Sequence, residues 1–271
     1  MNFIPLALYA AALGAYAWHF TQRRPAVGQA ATTVLVAGAL AHTFVIGMQT
    51  VEVGHVPMMD ASSAISTFVW LLVLAYLYTE MTTDERSMGT LILVLVVALQ
   101  SIPAFHPGVE DRADVLQGPL FGIHVSSLLF AYASFALACV IGITYMLLFK
   151  EIKAKHLGFF YTRLPSLQVL DSMNQRAIVI GWVFLTVGLV VGWFWATQAP
   201  GHDPRVQAMS LQDPKIFVAL VCWAVYSFEA FAARRIGWGG RRAAYLSALG
   251  FAIVLLNFVP ISYFLTTSHD F

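Results

Sequence analysis

Charge is scarce in this chain. Only 11% of its 271 residues are Asp, Glu, Lys or Arg, against roughly 25% in an ordinary soluble domain, and that shortage excludes water as the main solvent. What charge remains nearly cancels, at a formal +1 from 15 basic and 14 acidic side chains, so there is no basic field to attract nucleic acid. Cysteine is almost absent as well. Cys139 and Cys222 each sit inside an apolar run, without CxxC or CxxCH spacing, which removes a redox pair, a zinc site and covalent haem attachment and leaves small core residues. Gly-rich phosphate loops, HExxH, GxSxG and paired catalytic carboxylates are all missing, so no stand-alone catalytic motif supports hydrolytic or nucleotide-driven chemistry. There is no repeat, no low-complexity stretch and no sign of an appended soluble domain.

What is present is apolar sequence, at 59% of the chain, gathered into runs of about 16 to 30 residues where roughly 20 suffice to cross a hydrocarbon core. The fold class this implies is all-α, a polytopic transmembrane helical bundle forming one domain over residues 1–271. Eight spans are expected, near Asn2 to Phe20, Gly28 to Met48, Ala61 to Tyr78, Met88 to Pro103, Leu120 to Leu148, Ala177 to Ala196, Lys215 to Ala233 and Ala243 to Leu265. The first span lacks Lys or Arg before it and has Arg23 and Arg24 after it, the pattern of a retained helix and not of a signal peptide. Between Lys150 and Asn174, the residues Leu157, Phe159, Phe160, Tyr161, Leu164 and Leu167 suggest an amphipathic segment on the membrane surface.

Positive charge orients the bundle. Arg23, Arg24, Arg86, Lys150, Lys153, Lys155, Arg163, Arg176, Arg234, Arg235, Arg241 and Arg242 fall in or beside the odd-numbered connections, and only Arg112, Arg205 and Lys215 fall on the other side. Cytoplasmic loops are the Lys/Arg-rich ones. Both termini and the even connections are therefore expected outside, in the periplasm of a Gram-negative cell, with the protein multi-pass in the bacterial cytoplasmic (inner) membrane.

On that topology His55, His106, His124, His202 and His269 reach the outer face, His19 and His156 the inner side, and His42 the outer half of the second span, where an ionisable group is costly. Neutral imidazoles from two helices can hold one haem iron between them. His124, at the start of the fifth span, and His269, beyond the last, form a candidate pair; ordinary interfacial polarity is the competing explanation. Trp193 and Trp195 could form a flat shelf for a porphyrin or serve as interfacial anchors. Arg112 and Arg205 could pair with propionates or simply be solvated. Asp213 reads locally as an N-cap ahead of Pro214, and Glu229 as a carboxylate snorkelling toward Arg234 and Arg235.

Four stretches resemble the cytochrome c assembly family, which includes CcsA, CcmC and HemX-like membrane proteins. Gly54-His55-Val56-Pro57 with Trp70 in the following span is similar to the family's GHxP segment, and Gly122-Ile123-His124-Val125-Ser126 to the segment bearing its first outward haem-ligating histidine. Asp213-Pro214-Lys215 through Trp223 to Tyr226 resembles the latter half of the tryptophan-rich signature, and Gly250-Phe251 through Asn257 to Ser268-His269 the last helix with its second histidine. The signature itself is degenerate, because Thr197 to Gln212 keeps none of its tryptophans, and the histidine some members carry late in the seventh span is replaced by a stretch containing Glu229 and Phe231.

The resemblance implies a haem-binding protein of cytochrome c biogenesis, with a non-covalent b-type haem whose iron is held by His124 and His269. Trp193, Trp195, Arg205, His42 and His55 are further candidates for contact with it, and Asp213, Pro214, Lys215 and Trp223 are the motif remnant. It further implies a CcsB-like membrane subunit and an apocytochrome c as partners in a haem-attachment (cytochrome c synthetase) system. The alternative is a HemX-like non-catalytic subunit that regulates haem synthesis or belongs to a respiratory complex.

Overall fold

A computed structural model describes residues 2–58, 60–108, 118–155, 158–198, 214–235 and 237–256. Those residues form nine helices and no strand: α1 (Phe3–Gln22), α2 (Pro25–Val53), α3 (Ala61–Thr83), α4 (Gly89–Phe105), α5 (Pro119–Lys153), α6 (Phe159–Arg163), α7 (Leu167–Gln198), α8 (Pro214–Arg235) and α9 (Arg241–Leu256). Five of them, α1, α2, α3, α5 and α7, are long and apolar enough to cross a membrane. Local chemistry sets several boundaries. Proline opens α2 and α5, where its missing N–H is no loss, the Asp60 carboxylate caps α3 by accepting from the Ser62 and Ser63 amides, and Gly54 ends α2 at φ +87°.

Long helices lie at each of the first seven expected spans, α7 beginning ten residues before Ala177, and α9 covers the start of the eighth, whose residues after Leu256 lie outside the described residues. In the first turns of α7, Asp171 accepts from the Gly240 amide and Asn174 donates to Ser247. In the segment expected on the membrane surface, Leu164 is buried and Phe160 packs against the core, while Phe159 and Tyr161 are exposed. Glu151 ties it down, accepting from the Phe160 and Tyr161 amides. Leu157 lies outside the described residues.

Antiparallel packing sorts the helix ends into two groups. At one end, Phe20 meets Phe159, Arg86 donates to Thr32, and the Gly240 amide donates to Asp171. This is the end where the expected cytoplasmic arginines collect. At the other, Asn2 Nδ2 donates to the Pro103 carbonyl, Ser62 to the His106 carbonyl, and Ser126 to Met58 Sδ.

Two polar knots tie the first end together. Glu80, almost fully buried, accepts from Tyr16 (2.6 Å) and Thr32 (2.5 Å), joining α1, α2 and α3. Glu229 is 2% exposed and accepts at Oε1 from Ser247 (2.7 Å), whose oxygen accepts from Asn174 Nδ2 (2.9 Å). The snorkelling expected of Glu229 is therefore replaced by burial against α7 and α9; the side chains of Arg234 and Arg235 lie outside the described residues. Ser247→Ala should remove the shared hydroxyl and strand two buried polar groups, at about 1–3 kcal/mol, read as a lower thermal midpoint in detergent.

Candidate functional site

His124 lies on the second turn of α5 at the end opposite the arginines. Its Nδ1 stands 2.7 Å from the Gly188 carbonyl of α7. A carbonyl only accepts, so this contact assigns the ring proton to Nδ1 and leaves the Nε2 lone pair available. Histidines that bind metals are commonly oriented this way, with the second nitrogen donating to a carbonyl or carboxylate. Glycine permits the close approach: a Cβ on Gly192 would lie 2.5 Å from His124 Cε1 and Nδ1, and one on Gly188 would lie 2.7 Å from Leu128 Cδ2. Gly181 adds a third bare position, where a Cβ would enter the Phe135 ring. Positions 181, 188 and 192 share one face of α7, and small residues on one face let two membrane helices come close.

That glycine face is what sequence reasoning missed. The signal was present as Gly188 and Gly192 one turn apart in an apolar span, but the spacing does not say which helix it meets.

Trp195 packs against Phe121 at a centroid distance of 5.2 Å and is 9% exposed, whereas Trp193 is 56% exposed. Residues two apart on a helix point to different sides, so the two indoles do not form one shelf. Trp195 closes the α5–α7 contact one turn beyond His124, and Trp193 faces outward beside the exposed Phe194. Trp223, from the motif remnant, donates to Thr186 Oγ1 (2.9 Å), while Trp182 donates to Ser227 Oγ (2.7 Å). These reciprocal bonds fasten α8 to α7 next to Gly188.

His42 is fully buried away from this cluster. Its Nδ1 is 3.0 Å from the Tyr9 hydroxyl and its Nε2 is 2.9 Å from Ser66 Oγ. In this arrangement neither nitrogen is left for a metal, and the ring joins α1, α2 and α3. His55 is different. Its Nδ1 is 3.0 Å from the Val56 carbonyl, and its buried Nε2 has no partner among the described residues. The chain carries on to Met58, whose sulfur accepts from Ser126, two residues after His124, so the Gly54–Met58 segment belongs to the same end of the bundle.

His269, Arg205, Arg112, His202 and Asp213 lie outside the described residues, as do the side chains of Pro214 and Lys215. No group of three or more His, Cys, Asp or Glu residues suited to a metal ion occurs among the described residues.

A family model described as Cytochrome C assembly protein matches residues 3–269. The chain belongs to that family. Among its relatives, a cytochrome c biogenesis protein CcsA from Guillardia theta is 25% identical over 82% of this chain and 78% of its own length. A CcsA from Trieres chinensis is 22% identical over 95% of this chain and 89% of its own. A protein HemX from Brevibacillus brevis is 25% identical over 98% and 96% respectively.

Proposed function

We propose that this chain acts in cytochrome c biogenesis, holding a b-type haem near the outer membrane surface between His124 and His269 for delivery to an apocytochrome c. The observation that carries the reading is the bond from His124 Nδ1 to Gly188, which sets the tautomer a haem ligand needs. The surroundings suit a porphyrin: Ile123, Trp193 and Phe194 are exposed apolar side chains at the same end, and His55 Nε2 is an additional unpartnered nitrogen. Iron and porphyrin would supply the redox and ligand chemistry. The protein would supply an imidazole of fixed orientation, an apolar surface and access for a partner.

In this reading the chain is one transmembrane domain of eight spans, with both termini on the periplasmic side of a bacterial inner membrane. The arginine-rich end is cytoplasmic, which places His124 outside. A CcsB-like membrane subunit and an apocytochrome with a CxxCH site are the partners, and the chain contributes to haem attachment as part of that system.

The test is the visible spectrum of detergent-purified protein, oxidised and reduced, from haem-replete cells, beside His269→Ala. A Soret band in the wild type that is weakened or shifted in the variant is the expected result. Colourless wild-type protein, or an unaltered band, contradicts the pairing.

The near end-to-end match to HemX, over 98% of this chain, favours a second reading as a HemX-like non-catalytic subunit that regulates haem synthesis or joins a respiratory assembly. Co-purification separates the two. The first predicts capture of a CcsB-like subunit or an apocytochrome, the second a tetrapyrrole-synthesis enzyme or a redox complex.

A further inference from the structure

At the arginine-rich end, a pocket of about 590 Å³ opens between the end of α3, the first turns of α7 and the turn before α9. Its depth is set by sequence: Tyr78 on its wall ends the third expected span and Arg176 immediately precedes the sixth, so it lies where hydrocarbon gives way to headgroups. The wall changes character along α7. Asp171, Gln175 and Arg176 line the outer part, and Val179 and Ile180, one turn deeper, line the part toward the bilayer interior.

Three of these polar groups have unused bonding capacity. Arg176 has no ion-pair partner among the described residues, in contrast to Arg86, which pairs with Asp84 at 3.0 Å. Gln175 Nε2 is buried without a hydrogen-bond partner, a costly condition unless something else accepts from it. Asp171 uses Oδ1 to accept from the Gly240 amide at 2.6 Å, and Oδ2 is left bare by Gly239, where a Cβ would lie 3.0 Å from it. Acid and base thus share one pocket without neutralising each other.

A guanidinium and an amide N–H suit a phosphate, a bare carboxylate oxygen suits a cation that can donate hydrogen bonds, and an apolar inner wall suits an acyl chain. We propose that this pocket binds a phosphatidylethanolamine, with its phosphate on Arg176 and Gln175, its primary ammonium on Asp171 and its chain along Val179 and Ile180. Basic sites between helices at the cytoplasmic surface are established places for lipid headgroups, and the carboxylate here selects among headgroups. A purely anionic one meets repulsion from Asp171, and a quaternary ammonium has no N–H to donate.

The experiment is lipid titration of the delipidated full-length protein, with occupancy read by native mass spectrometry. Dioleoyl phosphatidylethanolamine, phosphatidylglycerol and phosphatidylcholine are compared, with soluble phosphoethanolamine and inorganic phosphate as separate arms. The ethanolamine lipid should bind about tenfold more tightly than the other two, the worth of one good charge-assisted bond. Arg176→Gln should weaken all three lipids, and Asp171→Asn, which keeps an acceptor for Gly240, should erase the ethanolamine preference. Gln175→Ala, which alters no charge, gives a second variant and should weaken all three less. Equal binding of the three lipids, or unchanged binding in Arg176→Gln, overturns the proposal, as does phosphoethanolamine or phosphate binding as tightly as the lipid.

Discussion

His124→Ala and Gly192→Leu are expected to deplete haem from the purified protein to a similar extent, about tenfold or more, although only the first removes the proposed ligand. Alanine at 124 takes away the Nε2 lone pair outright. Leucine at 192 leaves that nitrogen in the chain but occupies the space of the imidazole, since even its Cβ would stand 2.5 Å from His124 Cε1 and Nδ1. The ring must then leave the Gly188 carbonyl, losing both its direction and its fixed tautomer; mutating such outer partners of a ligating histidine commonly costs 10- to 100-fold in affinity. The measurement is the haem-to-protein ratio by pyridine haemochrome, with circular dichroism as a check that the helices persist. Full haem content in Gly192→Leu would mean that the contact with α7 is irrelevant to binding, and full content in His124→Ala would remove the ligand assignment itself.

Gly89→Val should give the largest loss of stability of any single change at the opposite end. The start of α4 lies so close to α1 that a Cβ on Gly89 would enter the Tyr16 ring, and the Tyr16 hydroxyl is a donor to the buried Glu80. Overpacking a filled interior costs about 1–3 kcal/mol. Displacing the tyrosine also weakens a hydrogen bond to a buried carboxylate, worth about 1.5–3 kcal/mol more, though the two costs are coupled and need not add. Tyr16→Phe isolates the second effect. Gly14→Ala is the control, because nothing lies within 4 Å of its added carbon. Thermal unfolding in detergent should rank the variants with Gly89→Val lowest and Gly14→Ala at the wild-type midpoint.

The five long helices α1, α2, α3, α5 and α7 were legible in the sequence because each is an apolar run of the length needed to cross a bilayer, and that constraint is local. Three details were not, and each depends on a partner far along the chain. The early start of α7 is stabilised by contacts such as Asp171 with Gly240 and Asn174 with Ser247, so a hydropathy boundary at Ala177 stops short of it. Glu229 looks like an interfacial carboxylate from its neighbours in sequence, yet Ser247 of α9 supplies the donor that allows its burial. His42 drew attention as an ionisable group inside a span, and its two hydroxyl partners come from α1 and α3.

The candidate site was legible to the same degree. His124 stood out by its place at a helix start, whereas the carbonyl that orients it is 64 residues away. Trp193 and Trp195 were recognised as a pair, but helical geometry gives them separate tasks.

The oxygen that accepts the hydrogen bond from the imidazole belongs to the main chain of α7, and no side-chain substitution at position 188 can delete it. Its separation from α5 is governed by how tightly two membrane-embedded rods are pressed together. Under the proposed function, a stretched contact would make the imidazole a poorer electron donor and a compressed one a better donor, so the spacing of α5 and α7 would set how strongly His124 holds iron without any change in covalent structure.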